Sequence, residues 1–194
     1  MMVIVRIQSQ GKSASLWNEI INKKDKLQDI LGDNGTLLYL SKRLGSNDIS
    51  LMLHTTNSLA LADFITSHLA KISGVDGLWL INMLKPVFFQ LPAQADRMKR
   101  YAVSVKIYPP RLDEVYRTVS KTALPAGINM VYLAYTCHLF GDCLQFSVLA
   151  DKDAKFENFV ENMINKIPGV LRATATEIEK THVFIPYREW ERYL

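Results

Sequence analysis

The sequence predicts an α+β protein made of two consecutive copies of one β-α-β-β-α-β unit. Three observations lead to this fold class: a segment that recurs at a constant offset, the same order of strand and helix patterns in each half, and an unpatterned stretch between the halves. The 194 residues are 48% hydrophobic and 22% charged, which is typical of globular proteins and excludes disordered, fibrous and low-complexity classes.

The recurring segment relates residues 64–75 to residues 159–170 without a gap. The two copies are identical at five positions, where average residue usage predicts about one match or fewer. The offset of 95 residues persists beyond the segment in two further pairs: Lys85 with Lys180, and Phe89 with Phe184. Because the match extends past the next predicted strand, it indicates an internal repeat.

The first half opens with Val3, Val5 and Ile7, whose alternation predicts a half-buried strand. One amphipathic helix is predicted over residues 15–31, whose apolar residues keep one face while residues 22–26 stay polar. Further patterns complete the unit: a hairpin of residues 36–42 with 49–55, a helix from Leu61 to Ile72, and a strand over residues 78–89.

The second half shows the same patterns in the same order. Val103, Val105 and Ile107 alternate as in the first strand, and the apolar spacing from Phe156 to Ile167 predicts the clearest helix of the chain. The remaining elements are a helix from Leu112 to Val119, a hairpin of residues 129–138 with 143–150, and a strand over residues 172–185.

The stretch between the halves, residues 91–100, has no period and contains a proline near its start. We therefore predict two domains, residues 1–92 and 99–194. Each has the element order of the split β-α-β or ferredoxin-like unit, in which a four-stranded antiparallel sheet carries both helices on one face. Apolar residues on both sides of the strand at 78–81 indicate that the second face is buried too.

The predicted fold is therefore two tandem ferredoxin-like repeats of the dimeric α+β barrel type, in which the halves cover each other or each pairs with a second chain. Two cysteines form no disulfide framework and fit a reducing compartment. The longest apolar stretches are far shorter than the roughly 20 residues of a membrane span, and no signal-peptide pattern precedes the first strand. We expect a cytoplasmic protein with no membrane contact.

The second half contains three short motifs, in this order along the chain: Gly141-Asp142-Cys143-Leu144, Ile167-Pro168-Gly169-Val170, and the pair Thr174 and Thr176. Their order and spacing resemble the effector-binding domain of the Lrp/AsnC family of transcription regulators. Cys143 and Leu144 stand where that family has an aromatic residue and a second acid. The resemblance implies face-to-face sheets, higher oligomers, and small molecules such as amino acids bound at subunit contacts.

The DNA-binding part of that family is an N-terminal helix-turn-helix, for which this sequence leaves no room, because Val3 already begins the sheet. The resemblance therefore implies a non-catalytic regulatory protein that binds an amino-acid-like effector and forms a homo-oligomer. Nucleic acid would be bound directly, through a partner, or not at all. We expect no cofactor and no enzymatic activity.

Four residues are candidate effector ligands. Gly141 would let the backbone approach a ligand, and the Asp142 carboxylate would receive an ammonium group, although a tight turn requires the same two residues. Thr174 and Thr176 lie two apart on a strand, so both hydroxyls face one side and can hold a carboxylate. Ordinary strand propensity explains the two threonines equally well.

Cys137 and Cys143 are placed symmetrically about the predicted hairpin loop. Two reduced, packed cysteines or a cross-strand disulfide both agree with that spacing. A metal site that adds His138 and Asp142 is disfavoured, because neighbouring strand residues point to opposite faces. We therefore predict no metal site.

Two alternative functions follow from other residues. A DNA-binding regulator would use the basic cluster around the linker, for which a solvated face is the plainer explanation: Arg97, Lys99, Arg100, Lys106 and Arg111. An α+β-barrel enzyme of the haem or monooxygenase type would use His182 on the last strand as axial ligand. No glycine-rich phosphate loop, nucleophile triad or carboxylate pair is present in the sequence.

Overall fold

The computed structural model describes residues 1–137 and 143–193, the side chain of Cys137 excepted. Eight strands are present in these residues: β1 Met2–Gln8, β2 Gly35–Arg43, β3 Ile49–Thr55, β4 Gly77–Phe88, β5 Lys99–Ile107, β6 Ile128–Cys137, β7 Leu144–Ala150 and β8 Val170–Val183. Five α-helices accompany them: α1 Ser13–Asn22, α2 Lys24–Leu31, α3 Ser58–Asp63, α4 Leu112–Lys121 and α5 Asp153–Phe159.

The chain divides into two compact units. Unit 1 comprises Met1–Asn82 and Glu179–Leu194, and unit 2 comprises Met83–Ile178. The long strands β4 and β8 therefore contribute residues to both units. The predicted domains at residues 1–92 and 99–194 divide the chain by sequence halves, and that division stays a prediction.

In unit 1, β3 lies between β1 and β2 in an antiparallel sheet, with Val5 opposite Leu51 and Leu40 opposite Leu51 on the other side. One face of this sheet carries the helices. The core between them is formed by strand and helix residues that are almost completely buried: Val3, Val5, Ile7, Leu16, Ile20, Leu27, Leu31, Leu37, Leu51, Leu53, Phe64 and Leu69. Alternation places these strand residues on one side, as the sequence predicts.

In unit 2, β7 lies between β5 and β6, and β8 pairs with the other edge of β5. Its helices cover one sheet face around a second core: Tyr101, Val103, Val105, Val115, Val119, Leu133, Phe146, Val148, Phe156, Phe159 and Ile164. The opposite face is buried along β6 and β7, where Ala134, Gln145 and Ser147 are at most 6% exposed. The second sheet face is thus buried along these two strands, whereas at residues 78–81, on which the prediction of a buried second face rested, Leu80 is 40% exposed.

Strand pairing follows the closed order β1-β3-β2-β8-β5-β7-β6-β4, an eight-stranded barrel. The predicted α+β class with antiparallel strands is thereby confirmed. The finer assignment, two tandem ferredoxin-like repeats, is taken up with the proposed function.

The predicted single helix over residues 15–31 is wrong, because α1 ends at Asn22 and α2 begins at Lys24. Residues 22–26 are all exposed, so no buried side chain holds the helix axis straight through them. The helix after the hairpin in each unit continues into a wider π-helical turn: α3 into Phe64–His68 in unit 1, and α5 into Val160–Ile164 in unit 2.

The last residues form a 3-10 helix, Tyr187–Tyr193, that packs on unit 1. Trp190 is 1% exposed, and its indole N–H donates to the Ile185 carbonyl at 2.8 Å. Among residues 1–137 and 143–193, no helix is long and apolar enough to cross a bilayer.

Candidate functional site

Unit 1 contains a cavity of about 250 Å³ beside the end of β8. Three segments line it: α2 with Lys24, Asp25 and Gln28, β2 with Leu37, and the end of β8 with the two residues after it, namely His182, Val183, Phe184 and Ile185. The cavity thus combines an imidazole, an ammonium group, a carboxylate and an amide with an aromatic ring and aliphatic side chains. Such a mixture of apolar walls and a few polar groups is typical of small-molecule sites.

Gln28 fixes the position of α2 against β2. Its amide nitrogen donates to the Gly35 carbonyl at 2.9 Å, and its amide oxygen accepts the Leu37 N–H at 2.9 Å. The side chain therefore acts as a substitute for a neighbouring strand, and both of its polar atoms are engaged. We infer that Gln28 shapes the cavity wall and is not available to bind a ligand.

The end of β8 is held by backbone bonds to β2. The Phe184 N–H donates to the Leu38 carbonyl at 3.0 Å, and the Ile185 N–H donates to the same oxygen at 3.4 Å. The His182 ring meets the Phe184 ring edge-on, with centroids 4.9 Å apart. These contacts give the imidazole a defined place on the cavity wall.

The environment of His182 favours the neutral imidazole. Burial lowers the pKa of its imidazole below the usual 6.5, and the nearby Lys24 ammonium lowers that pKa further. A neutral imidazole can accept a proton, so His182 has the properties of a general base near neutral pH. Lys24 is exposed and lies where it can stabilise a negative charge that forms on a bound molecule.

The cavity does not fit a haem at His182. Pockets for drug-sized ligands measure roughly 300–1,000 Å³, and the cavity of about 250 Å³ is smaller than that range, whereas a tetrapyrrole is larger than most such ligands. The cavity lining also includes the Gln28 amide, which is already bonded to β2. The predicted role of His182 as an axial haem ligand is therefore not supported by the geometry.

The predicted effector ligands Gly141 and Asp142 lie outside the described residues, as does His138. Thr174 and Thr176 lie on β8 within unit 2, opposite Ser104 and Ala102 of β5. The two threonines share a sheet face, and the Thr174 hydroxyl donates weakly to the Ser104 carbonyl at 3.4 Å. Their role in ligand binding stays a prediction.

Cys143 places its sulfur 3.9 Å from the Ile107 carbonyl oxygen. The side chain of Cys137 is outside the described residues, so the predicted alternatives for this pair stay open. Among the residues that the structure describes, no three His, Cys, Asp or Glu side chains come together as metal ligands.

The predicted basic cluster is divided between faces and neutralised in part. Lys99 lies 2.8 Å from Asp153 and 3.5 Å from Glu177, and Arg111 pairs with Glu114. Arg100 and Lys106 point to the sheet face opposite the side chain of Lys99, because they differ from it by an odd number of strand positions. Arg97 lies before β5 in an exposed turn.

Comparison with solved structures identifies similar folds. A protein assigned as a monooxygenase from Fusobacterium nucleatum subsp. nucleatum ATCC 25586 superposes with a TM-score of 0.58 at 10% identity, over 94% of either chain. An anthrone oxidase-like protein gives a TM-score of 0.56 at 8% identity, over 96% of this chain and 94% of that chain. Chlorite dismutase of Candidatus Nitrospira defluvii, in complex with imidazole, gives a TM-score of 0.57 at 12% identity, over 99% of this chain and 94% of that chain. At these identities the likeness concerns the fold.

No family model and no curated protein sequence matches the chain. The structural neighbours are monooxygenase-like proteins and chlorite dismutase, and not Lrp/AsnC effector domains, so the resemblance to that family is wrong. The expectation of a non-catalytic transcription regulator, which followed from that resemblance, is also wrong. The enzyme alternative of the haem or monooxygenase type agrees better with these neighbours.

The misleading motif has a structural explanation. Gly169 adopts a φ of 100°, and a Cβ there would lie 2.5 Å from the Cβ of Arg111. Its carbonyl also accepts the Tyr108 N–H at 2.8 Å. A glycine is therefore required by the tight passage from helix to β8, whatever the family. The motif around Gly169 therefore reflects a requirement of the local backbone and is not evidence of membership in that family.

Proposed function

We propose that the chain is an oxidoreductase of the monooxygenase type, which oxidises a small planar carbon acid with dioxygen in the His182 cavity. The observation that carries the proposal is the neutral His182 imidazole beside the Lys24 ammonium on the wall of that cavity. The fold shared with monooxygenase-assigned and anthrone oxidase-like proteins supports it.

The reaction balances without a cofactor. A methylene group activated by a carbonyl loses a proton to the His182 nitrogen, and the resulting carbanion or enolate transfers electrons to dioxygen. The carbon–oxygen bond forms, and the hydroperoxide then loses water: R2CH2 + O2 → R2CO + H2O. The substrate carbon supplies all four electrons that reduce dioxygen, so no further reductant is required.

Three residues have distinct roles in this reaction. His182 is the general base, and proton transfer by a positioned base contributes roughly 10²–10⁴-fold to a rate. Lys24 stabilises the anion that remains after the proton has left. Phe184 and Leu37 form apolar walls against which a planar ring packs.

Oxygen uptake tests the proposal. Purified protein is supplied with anthrone or the smaller 1,3-indandione, and dissolved oxygen is followed with an electrode. We expect uptake by the wild type and a decrease of roughly 100-fold or more in His182→Ala. His54→Ala is the matched control, because His54 also has a pKa lowered by burial but packs against Tyr193 outside this cavity.

Two results would overturn the proposal. One is uptake by His182→Ala at the wild-type rate, which would show that the imidazole removes no proton. The other is the absence of uptake with either carbon acid while circular dichroism shows the folded protein. Equal losses in His182→Ala and His54→Ala would also contradict a specific role for the cavity.

We further propose that the units are tandem ferredoxin-like repeats. Corresponding irregularities support this: Gly74 and Gly169 both have positive φ, at 89° and 100°. The Phe184 N–H donates to the carbonyl of Leu38, and the Phe89 N–H donates to that of Val131, each at 3.0 Å. Both acceptors lie at a β-bulge, in β2 and β6 respectively. The homo-oligomer and the cytoplasmic location stay predictions.

A further inference from the structure

The wall of the His182 cavity continues beyond the end of a strand. β8 ends at Val183, and the next two lining residues, Phe184 and Ile185, belong to no strand or helix. Because no ladder of hydrogen bonds holds such residues, other contacts must fix them and satisfy their backbone groups. The contacts of Phe184 and Ile185 therefore determine the shape of the cavity at this end.

Strand β2 holds one side of this segment. The N–H groups of Phe184 and Ile185 both donate to the Leu38 carbonyl, at 3.0 and 3.4 Å. The pairing of β2 with β3 shifts register between Leu37 and Tyr39, so Leu38 is the extra residue of a β-bulge. A bulged residue lies outside the regular ladder, which leaves its carbonyl available to another partner. The bulge thus supplies one anchor for the cavity wall.

Trp190 holds the other side of the segment. Its indole N–H donates to the Ile185 carbonyl at 2.8 Å, and the residue is almost completely buried. The Trp190 ring meets the Tyr39 ring edge-on with centroids 5.9 Å apart, and the Tyr187 ring lies 4.5 Å away. Since Tyr39 follows Leu38 on β2, the two anchors are adjacent. The segment is held between a strand carbonyl and an indole that packs on the same strand.

The 3-10 helix that carries Trp190 is itself fixed at both ends. The Glu189 N–H donates to the Pro186 carbonyl at 2.8 Å in its first turn. At its far end the Tyr193 ring contacts the His54 ring of β3, with centroids 5.4 Å apart. A short 3-10 helix has weak internal hydrogen bonds, so these side-chain contacts determine where it lies. The docked helix therefore determines where the Trp190 indole lies.

The hydrogen bond from Trp190 reaches the imidazole through one intervening residue. Phe184 precedes Ile185, and its ring meets the His182 ring edge-on with centroids 4.9 Å apart. Without the indole donor, the backbone at Ile185 loses one of its two anchors, and the Phe184 ring loses its fixed position. A displacement of about 1 Å at a reacting group can reduce a rate by about 10²-fold. A bond outside the cavity can therefore control the base inside it.

We propose that Trp190 is a positioning residue of the His182 cavity, which holds the imidazole through the Ile185 carbonyl and Phe184 and so couples docking of residues 187–193 to ligand binding. This inference rests on the proposed function, because the ligand is the carbon acid that is oxidised there. Trp190 is not among the residues that line the cavity. By linkage, a ligand that favours the fixed wall also favours the docked helix.

The indole N–H signal of Trp190 tests the coupling in the unaltered chain. 1,3-Indandione is added without oxygen, so that it is bound and not consumed, and the indole and imidazole signals are followed by NMR. We expect the Trp190 indole signal to shift together with the His182 signals, and the Trp17 indole signal to stay in place. Trp17 is half-buried against the unit 1 core and does not line the cavity. A Trp190 signal that stays in place while the His182 signals shift would overturn the coupling.

Variants test the positioning role without a ligand. Trp190→Phe keeps a buried aromatic ring and removes the N–H donor, and Trp17→Phe is the same change elsewhere in unit 1. Trp190→Phe is expected to shift the His182 imidazole signals of the free protein. It is also expected to lower the kcat of oxygen uptake roughly 5-fold or more, the effect of one lost hydrogen bond. Trp17→Phe is expected to match the wild type in both measurements.

The possible outcomes separate this inference from the proposed function. Absence of oxygen uptake by the wild type contradicts the proposed function, whereas shifted His182 signals in Trp190→Phe would still support the positioning role. That role is overturned if Trp190→Phe leaves the His182 signals in place, or if Trp17→Phe shifts them equally. Circular dichroism verifies that both variants fold. If Trp190→Phe does not fold, the titration of the wild type with 1,3-indandione decides.

Discussion

The same place in the two units is built in opposite ways. In unit 1, Gln28 follows the buried Leu27 on α2, and in unit 2, Tyr116 follows the buried Val115 on α4. Both residues are half-buried, and each reaches from its helix to a strand. Gln28 lines a cavity with His182, whereas Tyr116 stacks on another tyrosine.

Tyrosines fill the position in unit 2. The Tyr116 ring stacks on Tyr135 with centroids 4.4 Å apart, and its hydroxyl donates to the Lys85 carbonyl at 2.8 Å. The Lys85 ammonium lies 5.8 Å from the centroid of the Tyr135 ring, and the Tyr135 hydroxyl donates to Asp113 at 3.3 Å. Burial, together with the Asp113 charge, raises the pKa of Tyr135 to about 12.

The 95-residue offset that predicts the repeat relates His182 to Val87. At that offset, the imidazole of unit 1 corresponds to an aliphatic side chain in unit 2.

The largest effect is expected when the residues of unit 1 are replaced by those of unit 2. His182→Val is expected to reduce oxygen uptake roughly 100-fold or more, because the proton acceptor is lost. Val87→His is expected to leave uptake at the wild-type rate, since His182 and its cavity are unchanged in that variant. A measurable gain in Val87→His would show that unit 2 retains a site and would break the comparison.

Gln28 and Tyr116 differ in the number of hydrogen bonds by which each side chain joins its helix to a strand. Gln28→Met removes two hydrogen bonds to the backbone of β2 and is expected to lower the free energy of unfolding by about 1–3 kcal/mol. Tyr116→Phe removes one bond and retains the stack, with an expected loss of about 0.5–1.5 kcal/mol. Urea denaturation measures both, and a larger loss for Tyr116→Phe would contradict the anchoring role of Gln28.

Much of the fold could be predicted because its cause is local. Alternating residues such as Val103 and Val105 bury one side of a strand, as the structure confirms, and the matched segments around Gly74 and Gly169 predict the repeat that we propose. The cavity could not be found in this way. Lys24 belongs to the polar run at residues 22–26, which is typical of a solvated face, and only the folded chain brings it beside His182.

The burial of Gln145 was not predicted for that residue. Gln145 lies between Leu144 and Phe146 in β7 and is 6% exposed. Its burial agrees in kind with the prediction of a buried second sheet face, but that prediction was made on the strand at 78–81 and not on β7. His182, in contrast, entered as a candidate through fold analogy, and the structure supports its place in a cavity but not the haem.

Lys24 is expected to change the acidity of His182. Burial is the larger cause of the lowered pKa and remains in Lys24→Met, while the repulsion by the ammonium is removed. The pKa of His182 is therefore expected to rise toward 6.5, and the acid limb of oxygen uptake is expected to move to higher pH. NMR titration of the imidazole measures the shift. An unchanged pKa would show that Lys24 lies too far away to stabilise an anion in the cavity.

The smallest expected effect is that of a glycine substitution at Lys85 and at Lys180. The change in the free energy of unfolding is expected to have opposite signs at the two positions. Lys85 has a φ of 48°, which makes it the one non-glycine residue with positive φ among residues 1–137 and 143–193. A left-handed conformation costs a residue with a Cβ roughly 1–2 kcal/mol. Lys180 lies within β8 in an ordinary strand, where glycine costs roughly 0.5–1 kcal/mol.

Lys85→Gly is therefore expected to keep or slightly raise the free energy of unfolding, since the relieved strain exceeds the roughly 0.5 kcal/mol of an exposed cation–π contact. Lys180→Gly is expected to lower it, and its ion-pair neighbours Lys42 and Glu179 remain in place. Urea denaturation of the two variants should thus differ by about 1 kcal/mol. If both variants are destabilised alike, the contact of Lys85 with the Tyr135 ring stabilises the fold by more than the left-handed backbone conformation of Lys85 costs. Lys85 would then be a stabilising partner of the stacked tyrosines in unit 2.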